Sequence, residues 1–272
     1  MRQVTTSRRR FLTSMGLCVG AGVSGASPLK VSQRLQIGVG TYSYHGLSID
    51  DMVVQLNALQ IRSIEMSRVE FMLLSHPVDA LFQATRAKLD RAGVRCLSYY
   101  AATIVTEQEL KDAIRFARLL GASNITGDAT VAVLATIDKR LTEEGLTFGL
   151  HNHYFKQKFA YESADDVLSA LEGLSKTMGA TADVGHFASC GQDPVSSVHK
   201  LAGRLRMVHL KDVQAARGEV NVLLGRGIAK IPEVMRELHR QRFGGLVAVE
   251  YEKEGPVNED LKEEVEFARN LA

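Results

Sequence analysis

Residues 147–155 read T-F-G-L-H-N-H-Y-F, an apolar run that ends in His151, Asn152 and His153. The carboxyl ends of parallel strands lie on one face of an α/β protein, and in a closed barrel they converge on one mouth. Three later segments also change from apolar to polar residues near their ends: A-T-A-D-V-G-H, L-R-M-V-H-L-K-D and G-L-V-A-V-E-Y-E, at residues 180–186, 205–212 and 245–252. The four segments together predict a parallel α/β fold whose polar strand ends share one site.

Strand-like and helix-like segments alternate along the rest of the chain. Candidate capping boxes at Ser48, Thr106 and Ser163 open three of the helices. With 272 residues, the chain has room for one (β/α)8 barrel, which takes about 250 residues as a single domain. The alternation predicts a closed α/β TIM barrel with strands at 36–41, 61–66, 94–98, 122–126, 146–151, 179–183, 205–210 and 246–250.

An open doubly wound sheet is the alternative fold. It would place a Gly-rich, phosphate-binding turn directly after the first strand. Residues 38–42, G-V-G-T-Y, lack the third glycine and the helix start of such a turn. The closed barrel is therefore the preferred interpretation.

The N-terminal residues carry an export pattern. Residues 7–12 read S-R-R-R-F-L, an apolar run spans 15–23, and small residues follow at Ser24 and Ala26. This order resembles a twin-arginine signal peptide, whereas a basic tail with an amphipathic helix is the alternative. The run is shorter than the ~20 apolar residues of a membrane span, so we expect export to the periplasm without stable membrane insertion. The predicted divisions are a signal at 1–26, a linker at 27–34 and the barrel at 35–272.

The charge balance argues against a nucleic-acid partner. The chain has 33 Lys and Arg against 31 Asp and Glu, but Arg2, Arg8, Arg9 and Arg10 fall in the predicted signal. Without them, 29 basic residues face 31 acidic ones and the net charge is −2. Surfaces that bind nucleic acid are basic. The expected partner is therefore a small molecule, and the oligomeric state, including a homo-oligomer, stays open.

Four polar residues at successive strand ends form a candidate metal site. His151, Asp183, His209 and Glu250 end the predicted strands five to eight. Mixed imidazole and carboxylate ligands suit Mn2+, Zn2+, Fe2+ or Co2+, and neighbouring strands lie ~4.8 Å apart. We expect the four side chains to bind one divalent ion. The alternative is four unrelated polar residues at loop starts.

Three further residues could act on a substrate. His153 follows His151 by two, so both point to the same side of an extended segment, and imidazole is a suitable general base near neutral pH. A core or supporting histidine is the alternative. Lys211 follows His209 by two and could polarise a carbonyl or stabilise an oxyanion. Arg226 lies between two glycines and could approach a substrate, with a surface arginine as the alternative.

The motifs in these segments resemble those of the sugar phosphate isomerase/epimerase family, the xylose-isomerase-like TIM barrels that also include the endonuclease IV fold. The resemblance covers the chain after the predicted signal, and it is specific for the superfamily rather than for one substrate. The motifs are L-H-N-H, D-V-G-H, V-H-L-K-D, L-G-R-G and V-E-Y-E, at residues 150–153, 183–186, 208–212, 224–227 and 249–252.

The resemblance implies roles for individual residues. Family members that act on sugars hold their metal with Glu, Asp, His and Glu at the ends of strands five to eight, which implies Asp183, His209 and Glu250 directly. His151 stands where many relatives carry a Glu that is both a ligand and a proton-transfer group. The acid/base work must therefore shift to other residues here. The resemblance also implies substrate contacts for His186 and Glu65. The alternative for His186 is a hydrogen-bonded loop histidine, and the alternative for Glu65 is a buried ion-pair partner.

The expected function is a metal-dependent isomerase or epimerase of sugars or keto-sugars. It would remove a proton next to a carbonyl and form a metal-stabilised enediolate, with His153, Lys211 and Glu250 as catalytic residues. Mn2+ is the first expectation, with Zn2+, Co2+, Fe2+ and Mg2+ as alternatives. A metal-dependent lyase or hydrolase of oxidised (3-keto) glycosides is the second interpretation. A non-catalytic sugar-binding protein and an endonuclease IV-like nuclease rank lower, because a nuclease needs a basic groove.

Overall fold

The computed structural model describes residues 34–154, 161–218, 220–253, 255 and 257–272. The predicted signal at 1–26 and almost all of the predicted linker lie outside the described residues. Within the described ranges, no helix combines the length and the apolar composition that crossing a membrane requires.

Eight parallel strands close into a barrel, which confirms the predicted α/β TIM barrel. Each strand pairs with the next one along the chain, and the last pairs with the first. A separate antiparallel pair, β8 (Asp212–Val213) and β9 (Asn221–Val222), precedes the last barrel strand. The barrel strands are β1 (Gln36–Gly40), β2 (Ser63–Met66), β3 (Arg95–Ile104), β4 (Asn124–Ala129), β5 (Thr147–His151), β6 (Met178–Asp183), β7 (Leu205–Leu210) and β10 (Leu246–Val249).

Helices alternate with the barrel strands, and local sequence sets many of their ends. Thr106 and Ser163 form the predicted capping boxes, and Ser48 accepts a hydrogen bond from the backbone of Asp51. Gly121 ends a helix in the left-handed conformation that glycine adopts without strain. The helices are α1 (Ile49–Ala58), α2 (Asp79–Arg91), α3 (Glu107–Leu120), α4 (Val131–Glu144), α5 (Ala164–Ala170), α6 (Val184–Ser189), α7 (Pro194–Lys200), α8 (Ile231–Gln241) and α9 (Asn258–Asn270).

Strands β3 and β4 extend further towards the barrel mouth than the sequence predicts. The predicted strands end at residues 98 and 126, whereas β3 continues to Ile104 and β4 to Ala129. The pairing of the two strands shifts register between Tyr100 and Thr103, and Ala102 adopts a φ of 64°. Such an irregularity lets a strand bend and continue. The extension brings additional polar side chains to the mouth.

A small polar layer fills the barrel interior directly beneath the mouth. The Thr126 hydroxyl lies 3.0 Å from the hydroxyls of both Ser98 and Thr181. The Ser98 hydroxyl also lies within reach of Glu65 on β2, to whose Oε1 it donates at 2.9 Å. These buried contacts fix the carboxylate of Glu65 in the floor of the site.

Candidate metal and substrate site

Asp183 ends β6, and its two carboxylate oxygens have different surroundings. Its Oδ1 accepts a hydrogen bond from the backbone N–H of His186 at 2.8 Å and so caps α6. Asn152 fixes the Asp183 backbone by two hydrogen bonds, of 2.8 and 2.9 Å. Oδ2 is buried and has no hydrogen-bond partner among the described residues. It faces the ammonium of Lys211 at 3.2 Å, so this oxygen is placed to meet a cation.

His209 near the end of β7 is held by a carboxylate behind it. Its Nε2 lies 2.7 Å from Oε2 of Glu65, and Nδ1 points towards the mouth, 3.3 Å from Glu250. A carboxylate on the far nitrogen orients a metal-binding imidazole and makes it a better ligand. Burial lowers the pKa of His209, but Glu250, Glu65 and Asp183 outweigh it and raise the pKa to about 9.

The position of Glu65 bears on its predicted role. Its side chain is fully buried under His209, with its oxygens occupied by His209 and Ser98. Glu65 therefore lies beneath His209 as a buried ion-pair partner, and a substrate contact of its own stays a prediction.

His151 lies between two groups of donors. Its Nε2 is 3.2 Å from Nδ1 of His209, and its Nδ1 is 3.1 Å from Nε2 of His153. Burial, with smaller effects from His153 and His209, lowers its pKa well below the usual value, so the ring is neutral at pH 7. One donor atom each from His151, Asp183 and His209 lies within 4.8 Å of the others, so these three residues could hold a metal ion.

Glu250 lies beside this group of three rather than within it. It directly follows β10, and its Oε2 is 3.3 Å from both His209 Nδ1 and Lys211 Nζ. Burial raises its pKa, while Lys211 and His209 act in the opposite direction. The structure thus brings three of the four predicted ligands together, with the fourth in contact with one of them.

Lys211 is a buried cation surrounded by carboxylates. Its Nζ lies 2.6 Å from Glu252, 3.2 Å from Asp183 and 3.3 Å from Glu250. Burial lowers its pKa, but the three carboxylates outweigh this and raise it well above the usual value. Gly185 makes room for the lysine, since a Cβ there would lie 2.7 Å from Lys211 Cγ.

Glu252 is a site residue that the sequence pattern did not single out. It alternates with Glu250, so both can face the same side of an extended segment. That spacing is a usable signal, but Glu252 lies beyond the predicted strand.

His153 lies on the other side of His151, where it meets two residues that the sequence did not single out. Its Nε2 is 3.2 Å from Oδ2 of Asp128 on β4 and 3.2 Å from the hydroxyl of Tyr100 on β3. Burial raises the pKa of Tyr100 well above its usual value, so the phenol keeps its proton. Asp128, His151 and His153 form a second group whose donors lie within 4.8 Å of one another.

One cavity of about 330 Å3 opens at the mouth, and most of the residues described above line it: Asp128, His151, His153, His209, Lys211, Glu250 and Glu252. His186 belongs to its wall, with Nε2 3.4 Å from Asp183 Oδ2. Burial, followed by the nearby Lys211, lowers the pKa of His186 well below its usual value. The structure therefore places His186 in the cavity wall, and its contact with a substrate hydroxyl stays a prediction. The wall also includes Tyr42, Ser67, Met72, Leu74, Tyr100 and Tyr154.

Arg226 lies away from the cavity wall. Its side chain is 63% exposed and pairs with Glu263 of α9. The glycines on either side of it serve another purpose, because the carboxylate of Asp212 accepts hydrogen bonds from the backbone N–H groups of Gly225 and Gly227, both at 2.9 Å. The L-G-R-G stretch thus wraps around a buried aspartate, and the structure does not bring Arg226 to the substrate cavity.

Comparisons with known proteins agree with this architecture. The profile of the family described as xylose isomerase-like TIM barrel matches residues 62–271. No curated protein sequence matches the chain.

Solved structures give the same fold at low sequence identity. A probable 3-DHS dehydratase, AsbF, from Bacillus anthracis is 15% identical, with 85% of this chain and 98% of that one covered and a TM-score of 0.70. IolI with a bound zinc atom is 14% identical, with coverages of 88% and 95% and a TM-score of 0.68. D-psicose 3-epimerase from Clostridium cellulolyticum is 12% identical, with coverages of 87% and 96% and a TM-score of 0.64. Identities this low show the fold alone.

Proposed function

This chain belongs to the xylose isomerase-like TIM barrel family, and from that premise we propose that it is a divalent-metal-dependent isomerase or epimerase of sugars or keto-sugars. One observation carries the proposal: donor atoms of His151, Asp183 and His209 converge within 4.8 Å beside a buried lysine. The neighbours include an epimerase and a zinc-binding protein, which supports the same interpretation.

The residues present fit a divalent ion. Asp183 contributes a buried oxygen that lacks a hydrogen-bond partner within the described part of the chain, and the two histidines contribute nitrogens. When bound, the ion would act as a Lewis acid on adjacent oxygens of the substrate. Imidazole and carboxylate donors together suit Mn2+, Zn2+, Co2+ or Fe2+; Mn2+ is our first choice, and Mg2+ is the least suited because it prefers oxygen ligands.

We assign proton removal to Glu250. Its pKa is raised by burial, and a carboxylate with a raised pKa is a stronger base near neutral pH. His153 was the first candidate from the sequence, but one of its nitrogens already meets His151, Tyr100 and Asp128. Removal of a proton next to a carbonyl leaves an enediolate, and the Lys211 ammonium stabilises its negative charge.

Deuterium exchange tests this function whichever product the reaction gives. The purified chain would be incubated in D2O with a panel of free ketoses and keto-glycosides, with Mn2+ or with a chelator. We expect the hydrogen next to a carbonyl to exchange only with metal present and to stop exchanging in Glu250→Gln. Failure of the protein to bind any divalent ion at micromolar concentration, or absence of exchange across the panel, would refute the proposal.

A lyase or hydrolase of 3-keto glycosides is the second candidate. The contact that favours it is the 2.6 Å pair between Lys211 and Glu252, because such a pair can return a proton to a departing glycosidic oxygen. The same enediolate would then expel the group on the next carbon. Mass analysis of the products separates the two reactions, since only the lyase or hydrolase cleaves the glycoside.

We also propose export through the twin-arginine pathway, supported by the S-R-R-R-F-L stretch at residues 7–12. Replacement of Arg8 and Arg9 by Lys should retain the full-length chain in the cytoplasm. Cell fractionation with an antibody against the barrel would detect this, and periplasmic protein from the double variant would contradict it.

A further inference from the structure

A second group of donors faces the opposite side of His151. Nδ1 of His151 lies 3.1 Å from His153 just after β5, and His153 in turn meets Asp128 near the end of β4 at 3.2 Å; one donor atom from each of the three residues lies within 4.8 Å of the others. The other ring nitrogen of His151, Nε2, lies 3.2 Å from His209 of the first group. The two groups therefore share His151, with His209 near one of its nitrogens and His153 near the other.

Two buried polar atoms of the second group have no hydrogen-bond partner among the described residues. Asp128 is 9% exposed, and its Oδ1 has no hydrogen-bond partner in the parts of the chain described. The Nδ1 atom of His153 lacks one as well, under the same restriction. Three groups instead crowd around His153 Nε2 at 3.1 to 3.2 Å, although a ring nitrogen offers one lone pair or one N–H. Buried polar atoms in this state normally have a further partner.

The charge at the mouth also calls for more than one cation. Three carboxylates line the cavity, those of Asp128, Glu250 and Glu252, and those of Glu65 and Asp183 are buried directly behind it; Lys211 is the one Lys or Arg among the described residues of the wall. One divalent ion that displaces the His209 proton supplies, together with Lys211, three positive charges against these five carboxylates, so two negative charges remain among the described residues. Charges in a buried site are normally paired or bound to metal.

We propose that Asp128 and His153, with Nδ1 of His151 as a third donor, bind a second divalent cation next to the first. A carboxylate with two imidazoles suits Zn2+, Mn2+ or Co2+. A neutral imidazole carries one N–H, so simultaneous binding of both ions to His151 releases that proton to solvent. His153 is then a ligand, which agrees with the assignment of proton removal to Glu250. The second site shares His151 with the first, and its formation does not depend on which sugar the chain accepts.

Counting bound ions tests the second site. The metal-free chain would be titrated with Zn2+ and with Mn2+ by calorimetry, and the bound metal would be counted by elemental analysis after gel filtration. We expect two equivalents for the unmodified chain and one for Asp128→Asn, in which the dissociation constant of the second ion rises more than about 100-fold, beyond the 10- to 100-fold typical of supporting residues. Asp165→Asn is a matched control, because this carboxylate is exposed and pairs with Lys200; it should keep two equivalents.

The same titration of Asp183→Asn separates this proposal from the proposed function. One equivalent that is lost in Asp183→Asn and kept in Asp128→Asn would overturn the second site and leave the proposed function intact. One equivalent that is lost in Asp128→Asn and kept in Asp183→Asn would overturn the first site and with it the proposed function. No bound ion would overturn both. Circular dichroism spectra of each variant confirm that the barrel is folded.

Discussion

The two sides of His151 are built differently. On the side of β6 and β7, two predicted ligands have a supporting partner: Glu65 holds His209 from behind, and Asn152 fixes the Asp183 backbone. On the side of β3 and β4, Tyr100 and Asp128 meet the same nitrogen of His153 that faces His151. On the first side the supporting partners therefore contact the far nitrogen of His209 and the backbone of Asp183, whereas on the second side they contact the same His153 nitrogen that faces His151.

This difference predicts different behaviour. Supporting partners that bind the far nitrogen of a histidine strengthen metal binding, whereas partners on the same nitrogen compete with the ion for its lone pair. Substitutions on the first side should weaken binding of the first ion. Removal of a competing group on the second side should strengthen binding of the second ion.

The largest effect should come from Asp183→Asn. The substitution keeps the cap of α6, since Asn is a good N-cap residue, but removes the anionic oxygen from the group formed with His151 and His209. We expect metal affinity at the first site to fall more than about 100-fold and deuterium exchange to be lost. Calorimetry and the D2O assay measure both. Asp193→Asn is the matched control, because Asp193 caps α7 in the same manner; an equal loss there would point to damage of the fold.

Glu65→Gln should have the next largest effect. It preserves the shape of the side chain but weakens the charge-assisted contact with His209, and loss of such supporting partners typically costs 10- to 100-fold in metal affinity. Glu237→Gln offers a control, since Glu237 forms a similar pair with His199 at 3.0 Å, on the helix layer. Unchanged affinity in Glu65→Gln would mean that the carboxylate does not prepare His209 for a metal.

Much of the first side could be predicted from the sequence. Residues at the ends of parallel strands, and those two positions further along, face the mouth because side chains alternate along a strand. This rule places His151, Asp183, His209, Glu250 and Lys211 in or beside the cavity, where the structure has them. Each of them follows a clear apolar run, so the strand ends are visible in the sequence.

The second side could not be found in this way. Tyr100 and Asp128 lie beyond the predicted ends of their strands, and β3 continues past an irregularity at Ala102 that no simple pattern marks. Arg226 shows the opposite problem. Its flanking glycines are required by local geometry, because Gly225 has a φ of 84° and a Cβ on Gly227 would lie 2.3 Å from Asp212 Oδ1. A sequence pattern alone does not distinguish that requirement from close approach to a substrate.

Binding of the first ion should also depend on pH. The pKa of His209 is raised to about 9 by its carboxylate neighbours, which outweigh burial, so the ring carries a proton at neutral pH without metal. A metal ion must displace that proton. Affinity should therefore rise about tenfold per pH unit between pH 6 and 8 and level off above the pKa. Calorimetric dissociation constants for Mn2+ across this range measure the slope, and a flat profile would show that His209 is neutral or is not a ligand.

The smallest effect, and the one with the opposite sign, should come from Tyr100→Phe. The protonated phenol of Tyr100 lies 3.2 Å from His153 Nε2, where its hydrogen bond competes with a cation for the lone pair. Removing it should tighten binding of the second ion by the equivalent of one hydrogen bond, about 0.5 to 1.5 kcal/mol or roughly 2- to 12-fold, and leave the first ion unchanged. Tyr99→Phe is the matched control on the same strand, because its hydroxyl donates to the backbone oxygen of Phe71 at 2.7 Å and should affect stability rather than metal binding. Weaker binding of the second ion in Tyr100→Phe would mean that the phenol supports His153 as Glu65 supports His209, and the contrast between the two sides would no longer hold.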